Sequence, residues 1–197
     1  MNYIENYFNN VVKYDLVNKF YYTELDKIPI ICEIAVVFRF KELNVKQLST
    51  MLLALELITS KKGQFLVARK GNLFLKIRKG FPVGCKVILR KKEMYDQLLK
   101  LVNEVFLKIK VLLKINKNKT KNDNIISYSL NDNSLLVEIG QNYNLFNGIL
   151  TDITITIMGK KINQKGFFFL IESLKQPLSL NKTQSYFPRK RNSIGRV

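Results

Sequence analysis

The sequence predicts an α+β fold in which a mostly antiparallel sheet packs on helices, with a protruding basic hairpin and a basic C-terminal tail. Helical and strand-like patterns are interspersed along the 197 residues, which is typical of this class. Two apolar runs, Phe65 to Ala68 and Val83 to Leu89, flank a cationic segment and predict an antiparallel hairpin. Thr151 to Met158 alternates isoleucine with threonine, as in a strand with one face packed on helices. Because no internal repeat is visible, we predict one domain over residues 1–176 and an extension over 177–197.

The first half of the chain predicts two helices and the strand between them. Apolar residues recur every three to four positions from Asn2 to Phe20, which indicates an amphipathic helix. A membrane-surface helix is the alternative, but the polar face is mostly asparagine and lacks the Lys and Arg of such helices, so core packing is favoured. Ile28-Pro29 precedes a strand from Ile30 to Phe40, since proline loses no ladder donor at the start of a strand. Val45 to Ser60, dense in Leu and Met, is the second predicted helix.

The second half predicts the longest helix, from Lys92 to Leu113, on a broad apolar stripe. The segment that follows, Asn116 to Asn124, has no apolar residue and is predicted to be an exposed loop. The remaining predicted elements are strands Ile125 to Leu130 and Leu135 to Ile139, an irregular stretch Gln141 to Gly148, the strand Thr151 to Met158 and a closing helix Ile162 to Lys175.

The charge of the chain indicates a polyanionic partner. Its 33 Lys and Arg residues exceed its 15 acids, which gives a formal charge of +18. Eleven of these cations lie between Lys61 and Lys92, where there is no acid. Such a segment repels itself unless a polyanion neutralises it, and RNA is the leading candidate. Phe74, near the hairpin tip, is a candidate for stacking on nucleotides, whereas Phe81, beside Pro82, is expected to pack under the hairpin.

The sequence contains no motif that is typical of an enzyme or a metalloprotein. There is no His for acid–base catalysis or metal binding, and the glycines form neither a P-loop nor a dinucleotide-binding motif. Cys32 and Cys85 lie far apart in apolar runs and are expected to be buried thiols. No apolar run approaches the roughly 18 residues of a membrane span. We therefore expect no catalysis, no cofactor, no metal and no membrane partner.

Two stretches of the sequence carry a resemblance to a known family. ARKGNLFLKIRKGFPVGCKVILR, Ala68 to Arg90, is similar to the pattern A-R-K-x4-F/L-K-I-R-x-G-x-P-I/V-G-C-K-V-x-L-R, and GILTDITITI, Gly148 to Ile157, is similar to G-x-D-I-T-I-T. Both patterns are characteristic of the bacterial-type large-subunit ribosomal protein L-five family. The first helix, Ile28-Pro29 and Gly63-Gln64 also follow the order of that family, so the resemblance covers Tyr3 to Pro177.

The resemblance implies a set of RNA contacts. Family members bind 5S rRNA in the central protuberance of the large ribosomal subunit, touch the peptidyl-site tRNA with the hairpin tip, and contact a protein of the small-subunit head. Carried over by position, the tRNA-facing tip is Arg69, Lys70, Gly71, Asn72, Leu73 and Phe74. The rRNA-binding residues are Gln64, Lys86 and Arg90, together with Arg39 and Lys41, which stand where the family has a glycine-containing turn. Further expected RNA contacts are Lys76, Arg78 and Lys79 in the hairpin and Arg189, Lys190 and Arg191 in the tail.

These observations predict a non-catalytic structural protein of a mitochondrial large ribosomal subunit, in the mitochondrial matrix. Abundant Lys, Asn and Ile with little Ala and no His or Trp indicate AT-rich coding, as in organelle genomes, with a plastid as the less favoured compartment. The N-terminus contains Glu5 and Asp15 and no Arg, unlike a cleaved transit peptide. The first alternative is a free-standing RNA-binding protein acting in organelle RNA processing. The second is a peripheral membrane protein that uses the first helix and the basic tail.

Overall fold

A computed structural model describes residues 2–39, 45–74, 77–106, 108, 125–130, 136–146, 153–160 and 164–174 of the chain. Helix α1 has three consecutive segments, α-helical Tyr3–Tyr7, π-helical Phe8–Val12 and α-helical Lys13–Phe20, and a 3-10 turn follows at Leu25–Lys27. The next elements are β1 (Ile30–Arg39), α2 (Val45–Thr59), β2 (Gln64–Val67), β3 (Pro82–Arg90) and α3 (Lys91–Lys100), which continues into a π-helical segment, Leu101–Phe106. The last are β4 (Ile125–Leu130), α4 (Val137–Gln141), α5 (Tyr143–Phe146), β5 (Ile153–Lys160) and α6 (Gln164–Ser173).

The five strands form one antiparallel sheet in the order β2-β3-β1-β5-β4. The central strand β1 places Val36 opposite Val87 of β3 and opposite Ile155 of β5. The register between β1 and β5 shifts between Ile31 and Glu33, so Cys32 is the extra residue of a bulge. The predicted α+β class with a mostly antiparallel sheet is confirmed.

Helices cover one face of the sheet. Six alternate residues of β1 and β5 on this face are at most 1% exposed, namely Ile34, Val36, Phe38, Ile153, Ile155 and Ile157. They form one apolar cluster with residues from α1, α2, α3 and α6, among them Leu16, Leu55, Leu98 and Phe167. The opposite face carries the half-buried Thr154 and Thr156, and the Thr156 hydroxyl lies 3.2 Å from that of Ser127. The alternation predicted for β5 is therefore confirmed.

The π-helical segment of α1 matches the spacing of its buried residues. Ile4, Phe8, Val12 and Leu16 are all buried and follow one another at intervals of four. On a regular α-helix a repeat of four drifts away from the core, because a turn has 3.6 residues. The wider turn of Phe8–Val12 compensates for this drift and keeps all four side chains in the core. The helix ends at Tyr21, which has a left-handed φ of 50°.

Two predictions for the region after β4 are wrong. Leu135 to Ile139 was expected to be a strand, yet the chain forms helix α4 from Val137, and Leu136 and Ile139, three residues apart, are both buried. The Lys100 ammonium of α3 lies 2.6 Å from the Glu138 carboxylate and tethers α4. Gln141 to Gly148 was expected to be irregular, but Tyr143–Phe146 is a helical turn that buries Phe146.

The other predicted elements are confirmed wherever the structure describes them. Four predicted features lie outside the described residues: the C-terminal end of the helix predicted from Lys92, the last residue of the strand predicted from Ile30, the loop at Asn116 to Asn124, and the tail. Both cysteines are free thiols; Cys85 is buried as expected, whereas Cys32 is only half-buried. No helix in the described part of the chain is long and apolar enough to cross a membrane.

Candidate nucleic-acid interface

Strands β2 and β3 continue beyond the sheet as a closed hairpin. The Ala68 amide donates to the Phe81 carbonyl at 2.8 Å, and Asn72 and Ile77 exchange two backbone hydrogen bonds of 2.9 and 3.0 Å. At the tip, the Asn72 side-chain oxygen accepts a hydrogen bond from the Phe74 amide at 3.0 Å, as asparagines do in turns. Gly80 supplies the left-handed φ of 84° at which the chain returns towards β3.

The hairpin presents its cations to solvent. Arg69, Lys70, Arg78 and Lys79 are all exposed. No carboxylate of the described residues forms an ion pair with any of them. Lys76 lies outside the described residues. Since exposed Lys and Arg without acid partners are suited to phosphate contacts, the arrangement favours a polyanionic ligand.

The tip itself is apolar. Leu73 is 95% exposed and Phe74 is 99% exposed, although both carry large hydrophobic side chains. Phe81 is half-buried at the root of the hairpin, in agreement with the prediction that it packs there. An aromatic ring that is 99% exposed on a hairpin with exposed cations is suited to stack on an unpaired base.

The predicted rRNA-binding residues of the sheet share the face opposite the helices. Gln64 lies opposite Lys86 in the pairing of β2 with β3, and Arg90 follows on the same face of β3. Arg39 lies opposite Gly84 at the hairpin end of β1 and belongs to this face too. The pleat brings them together because directly opposed residues, and every second residue of a strand, point the same way. Lys41 and the tail residues Arg189, Lys190 and Arg191 lie outside the described part of the chain.

A cationic groove of about 250 Å³ opens beside these residues. Its lining residues are Lys61, Lys62, Gln64, Val87, Ile88 and Arg90. Two of its cations are oriented by carboxylates, since Lys61 lies 2.6 Å from Glu93 and Arg90 lies 2.8 Å from Glu33. Lys61 and Lys62 are not among the site residues predicted from the sequence. The sequence feature that indicates a role for these two lysines is the acid-free cationic run that begins at Lys61.

Gly84 positions the hairpin against the central strand. A Cβ at this position would collide with the Phe38 carbonyl oxygen of β1. The two backbones can therefore approach closely only with glycine there. The adjacent Cys85 is buried, and this burial raises the pKa of its thiol from 9.0 to about 11. That thiol is therefore a packing group at neutral pH, since a reactive cysteine needs a lowered pKa.

No group of His, Cys, Asp and Glu side chains that would hold a metal ion occurs among the described residues. What the interface offers is a set of exposed cations, an exposed ring and a polar sheet face. These are the groups that bind nucleic acids through phosphates, stacking and hydrogen bonds.

Known proteins resemble this chain over most of its length. A model of the ribosomal L5 family C-terminus matches residues 82–178. The Large ribosomal subunit protein uL5m of Reclinomonas americana is 31% identical over 182 residues, which is 91% of this chain and 99% of that protein. The uL5 proteins of Blochmanniella floridana and of Buchnera aphidicola subsp. Cinara cedri are 27% and 31% identical, over 90% and 84% of this chain and 93% of each relative.

The family model covers β3, from which the hairpin extends, and β5, each of which lies within a stretch that carries the sequence resemblance. The chain therefore belongs to the ribosomal protein L5 family of the large ribosomal subunit.

Proposed function

We propose that this chain is a structural, non-catalytic component of the large subunit of a mitochondrial ribosome. In this role it binds 5S rRNA, or the rRNA that takes its place, in the central protuberance. The hairpin tip contacts the peptidyl-site tRNA, and other surfaces contact large-subunit proteins and a protein of the small-subunit head. Membership of the family supports the ribosomal role, and the uL5m name of one relative together with the organelle-like composition supports the mitochondrial matrix as location.

The observation that carries the RNA contacts is the hairpin. Its cations are exposed, and at its tip Leu73 and Phe74 contact almost nothing in the protein. Large apolar side chains held in solvent by a hydrogen-bonded turn indicate that a ligand covers them. Arg69 to Phe74 are the proposed tRNA contacts, and Arg78 and Lys79 are contacts to phosphates next to them.

The sheet face and groove form a second proposed contact, to 5S rRNA. Gln64 supplies an amide for hydrogen bonds, and Lys86 and Arg90 supply charge from the same face of β3. Arg39 extends this surface towards the hairpin. We place Lys61 and Lys62 in the same contact because they line the groove with Gln64 and Arg90. Lys41, Lys76 and the Arg189, Lys190, Arg191 cluster are proposed as further anchors on the strength of their charge alone.

Sedimentation followed by RNA cross-linking tests this function. The tagged chain is expected to sediment with large ribosomal subunits at moderate salt, and ultraviolet cross-links should map to 5S rRNA or the central-protuberance rRNA and, in translating particles, to tRNA. A chain that remains at the top of the gradient while it cross-links to precursor RNAs would favour the alternative, a free-standing RNA-processing protein. Release from organelle membranes by detergent but not by high salt with RNase would favour a peripheral membrane protein.

A further inference from the structure

The groove beside the sheet face has the size of one residue of a longer chain. Its volume of about 250 Å³ lies below the roughly 300 to 1,000 Å³ of sites that enclose a whole small molecule. Its lining comes from two parts of the fold, the turn at Lys61 and Lys62 and the end of β3 at Arg90. A group that enters between them is therefore contacted on two sides.

An apolar side chain lies among the cations of the groove. Ile88 lines the groove and is half-buried, and Arg90 follows it on the same face of β3. The residue opposite Ile88 on β1 is Ala35, which is 7% exposed. Neither side chain can form a hydrogen bond with a phosphate. This part of the groove is suited to the flat face of a nucleobase, with the phosphates at the cationic rim.

Arg90 offers a fixed, flat surface next to Ile88. Its Nε and Nη2 atoms both donate to the same carboxylate oxygen of Glu33, at 2.9 and 2.8 Å, and these two bonds hold the plane of the guanidinium. The Arg90 side chain is nevertheless 67% exposed. A guanidinium plane is a surface on which an unstacked base can stack, and the N–H groups that do not contact Glu33 can contact a phosphate.

Gln64 supplies the group that can recognise a base. Its side chain is exposed, lines the groove and contains both hydrogen-bond donors and an acceptor. An RNA duplex keeps its base edges in a major groove that side chains cannot enter and in a shallow minor groove. A concave site on the protein can therefore enclose a base only after that base has left the stack. Contact with the outside of a continuous duplex would need cations alone.

The wall opposite Arg90 provides charge for the phosphates next to such a base. Lys61 lies 2.6 Å from Glu93, and Lys62 is exposed. The turn that carries both lysines is held by the Gly63 amide, which donates to the Glu56 carboxylate at 3.1 Å. Because this wall is formed without a ligand, little conformational entropy is lost when RNA binds to it.

We propose that the groove takes up one unpaired nucleotide that is extruded from its RNA helix. This inference rests on the proposed contact of the sheet face with 5S rRNA, or with the rRNA that takes its place, and adds that the contact includes a base. The base stacks on Arg90 and packs on Ile88, and Gln64 forms a hydrogen bond with its edge. Lys61 and Lys62 contact the phosphates on either side of it.

Photocross-linking in the full chain identifies the nucleotide. Benzoylphenylalanine replaces Lys62 at the rim of the groove, or Phe74 in a second variant, and native particles containing either variant are irradiated. The Lys62 variant is expected to give an adduct at one rRNA nucleotide that has no Watson–Crick partner. Adducts to paired nucleotides, to a free nucleotide or to protein, or no adduct, would each overturn the proposal. The Phe74 variant and the sedimentation of the parent chain report separately on the ribosomal role, whose failure would overturn both proposals.

Removal of the base provides the second measurement. The cross-linked rRNA is prepared with a label and with an abasic nucleotide at the mapped position, and its affinity is measured by fluorescence anisotropy. The parent chain should bind the abasic RNA roughly 5- to 150-fold more weakly than the intact RNA, the loss expected when the contacts of one base are removed. An abasic nucleotide at a neighbouring unpaired position is the control for RNA folding and should have little effect.

A variant of the groove links this loss to the protein. Gln64→Ala should melt at the temperature of the parent chain because the side chain is exposed. The abasic substitution should weaken its binding less than it weakens that of the parent chain, since the hydrogen bond to the base is already missing. Gln141→Ala, at an exposed glutamine of α4, is the matched control and should show the full loss of the parent chain. Equal losses in Gln64→Ala and the control, or no loss in either, would overturn the assignment.

Discussion

Neutralising three cations of the hairpin should reduce the salt dependence of RNA binding. The change is Arg69→Gln, Lys70→Gln and Arg78→Gln, at positions that are exposed and unpaired with carboxylates in the described structure. Each cation that contacts a phosphate releases counterions and contributes roughly 0.7 to 0.9 to the slope of log affinity against log salt. Three contacts therefore predict a slope smaller by about 2 to 3 units.

This difference is large enough to measure by fluorescence anisotropy. Over a fourfold rise in salt, from about 50 to about 200 mM, the parent chain should lose roughly 20- to 40-fold more affinity for labelled tRNA, the proposed ligand of the hairpin, than the triple variant. Thermal melting should be nearly unchanged, because substitutions of exposed surface residues usually alter stability by less than about 0.5 kcal/mol. The affinity at low salt should drop, since that is where the electrostatic contribution is greatest.

A matched control separates location from net charge. Lys27→Gln, Lys108→Gln and Lys160→Gln remove the same charge from exposed positions outside the hairpin, and Lys160 pairs with Ile30 at the opposite end of β1. The control should keep nearly the slope of the parent chain. Equal slopes for the parent chain and the hairpin variant would refute the reasoning. Equal reductions in the two triple variants would show that net charge acts without a defined contact surface.

Three further predictions follow from single residues. Phe74→Ala should leave the melting temperature unchanged but weaken binding to tRNA by about 1 to 3 kcal/mol in a filter assay, because stacking on one base is worth that much; unchanged affinity would mean that the ring does not stack. Gly84→Ala should lower the urea midpoint of unfolding far more than Gly71→Ala. A Cβ at position 84 would collide with the backbone of β1, whereas a Cβ at position 71 would lie at an ordinary 3.4 Å from the Ile77 carbonyl oxygen; equal midpoints would contradict this packing. Burial raises the pKa of the Cys85 thiol from 9.0 to about 11. As the pH rises, the unfolded chain therefore loses this proton before the folded chain does, so the contribution of the thiol to the free energy of unfolding should be full below pH 9 and decline towards pH 11. Urea titrations at these pH values should show a shallower decline in Cys85→Ala, and an identical decline would exclude this thiol as a cause.

The sheet was predictable where side chains alternate regularly. Isoleucine and threonine in β5 show which residues face the core, and that pattern predicts the strand and its buried face together. Register was not predictable, because it depends on which strands pair. The bulge at Cys32 is an example, since a single extra residue between Ile31 and Glu33 leaves that thiol only half-buried.

Helix α4 shows why a short apolar run misleads. Leu136 and Ile139 are both buried, and a spacing of three fits a helix, but in a run of five residues adjacent apolar side chains also fit a strand. The deciding contact is distant in sequence, because Glu138 pairs with Lys100 on α3. A tertiary contact of this kind has no local signature.

The candidate interface was predictable in its charge and only partly in its geometry. The acid-free run from Lys61 to Lys92 predicts that this region binds a polyanion. It does not predict that Lys61 and Lys62 line a groove with Arg90, because that depends on the turn after α2. Ser60 adopts a left-handed φ of 53° there, and the Glu56 carboxylate accepts a hydrogen bond from the Gly63 amide at 3.1 Å.

The two ion pairs at this groove contribute little to stability, and in the proposed rRNA contact they would orient its cations. Both pairs, Lys61 with Glu93 and Arg90 with Glu33, are at least partly exposed to solvent, and exposed pairs contribute only about 0 to 1 kcal/mol. Their effect is to hold two cations in fixed directions, which lowers the entropy lost when a phosphate binds. The carboxylates also lower the net charge of the groove, so a phosphate must compete with them. A site built in this way favours a correctly placed phosphate over diffuse attraction to any polyanion, and the proposed contact to one folded rRNA requires this selectivity.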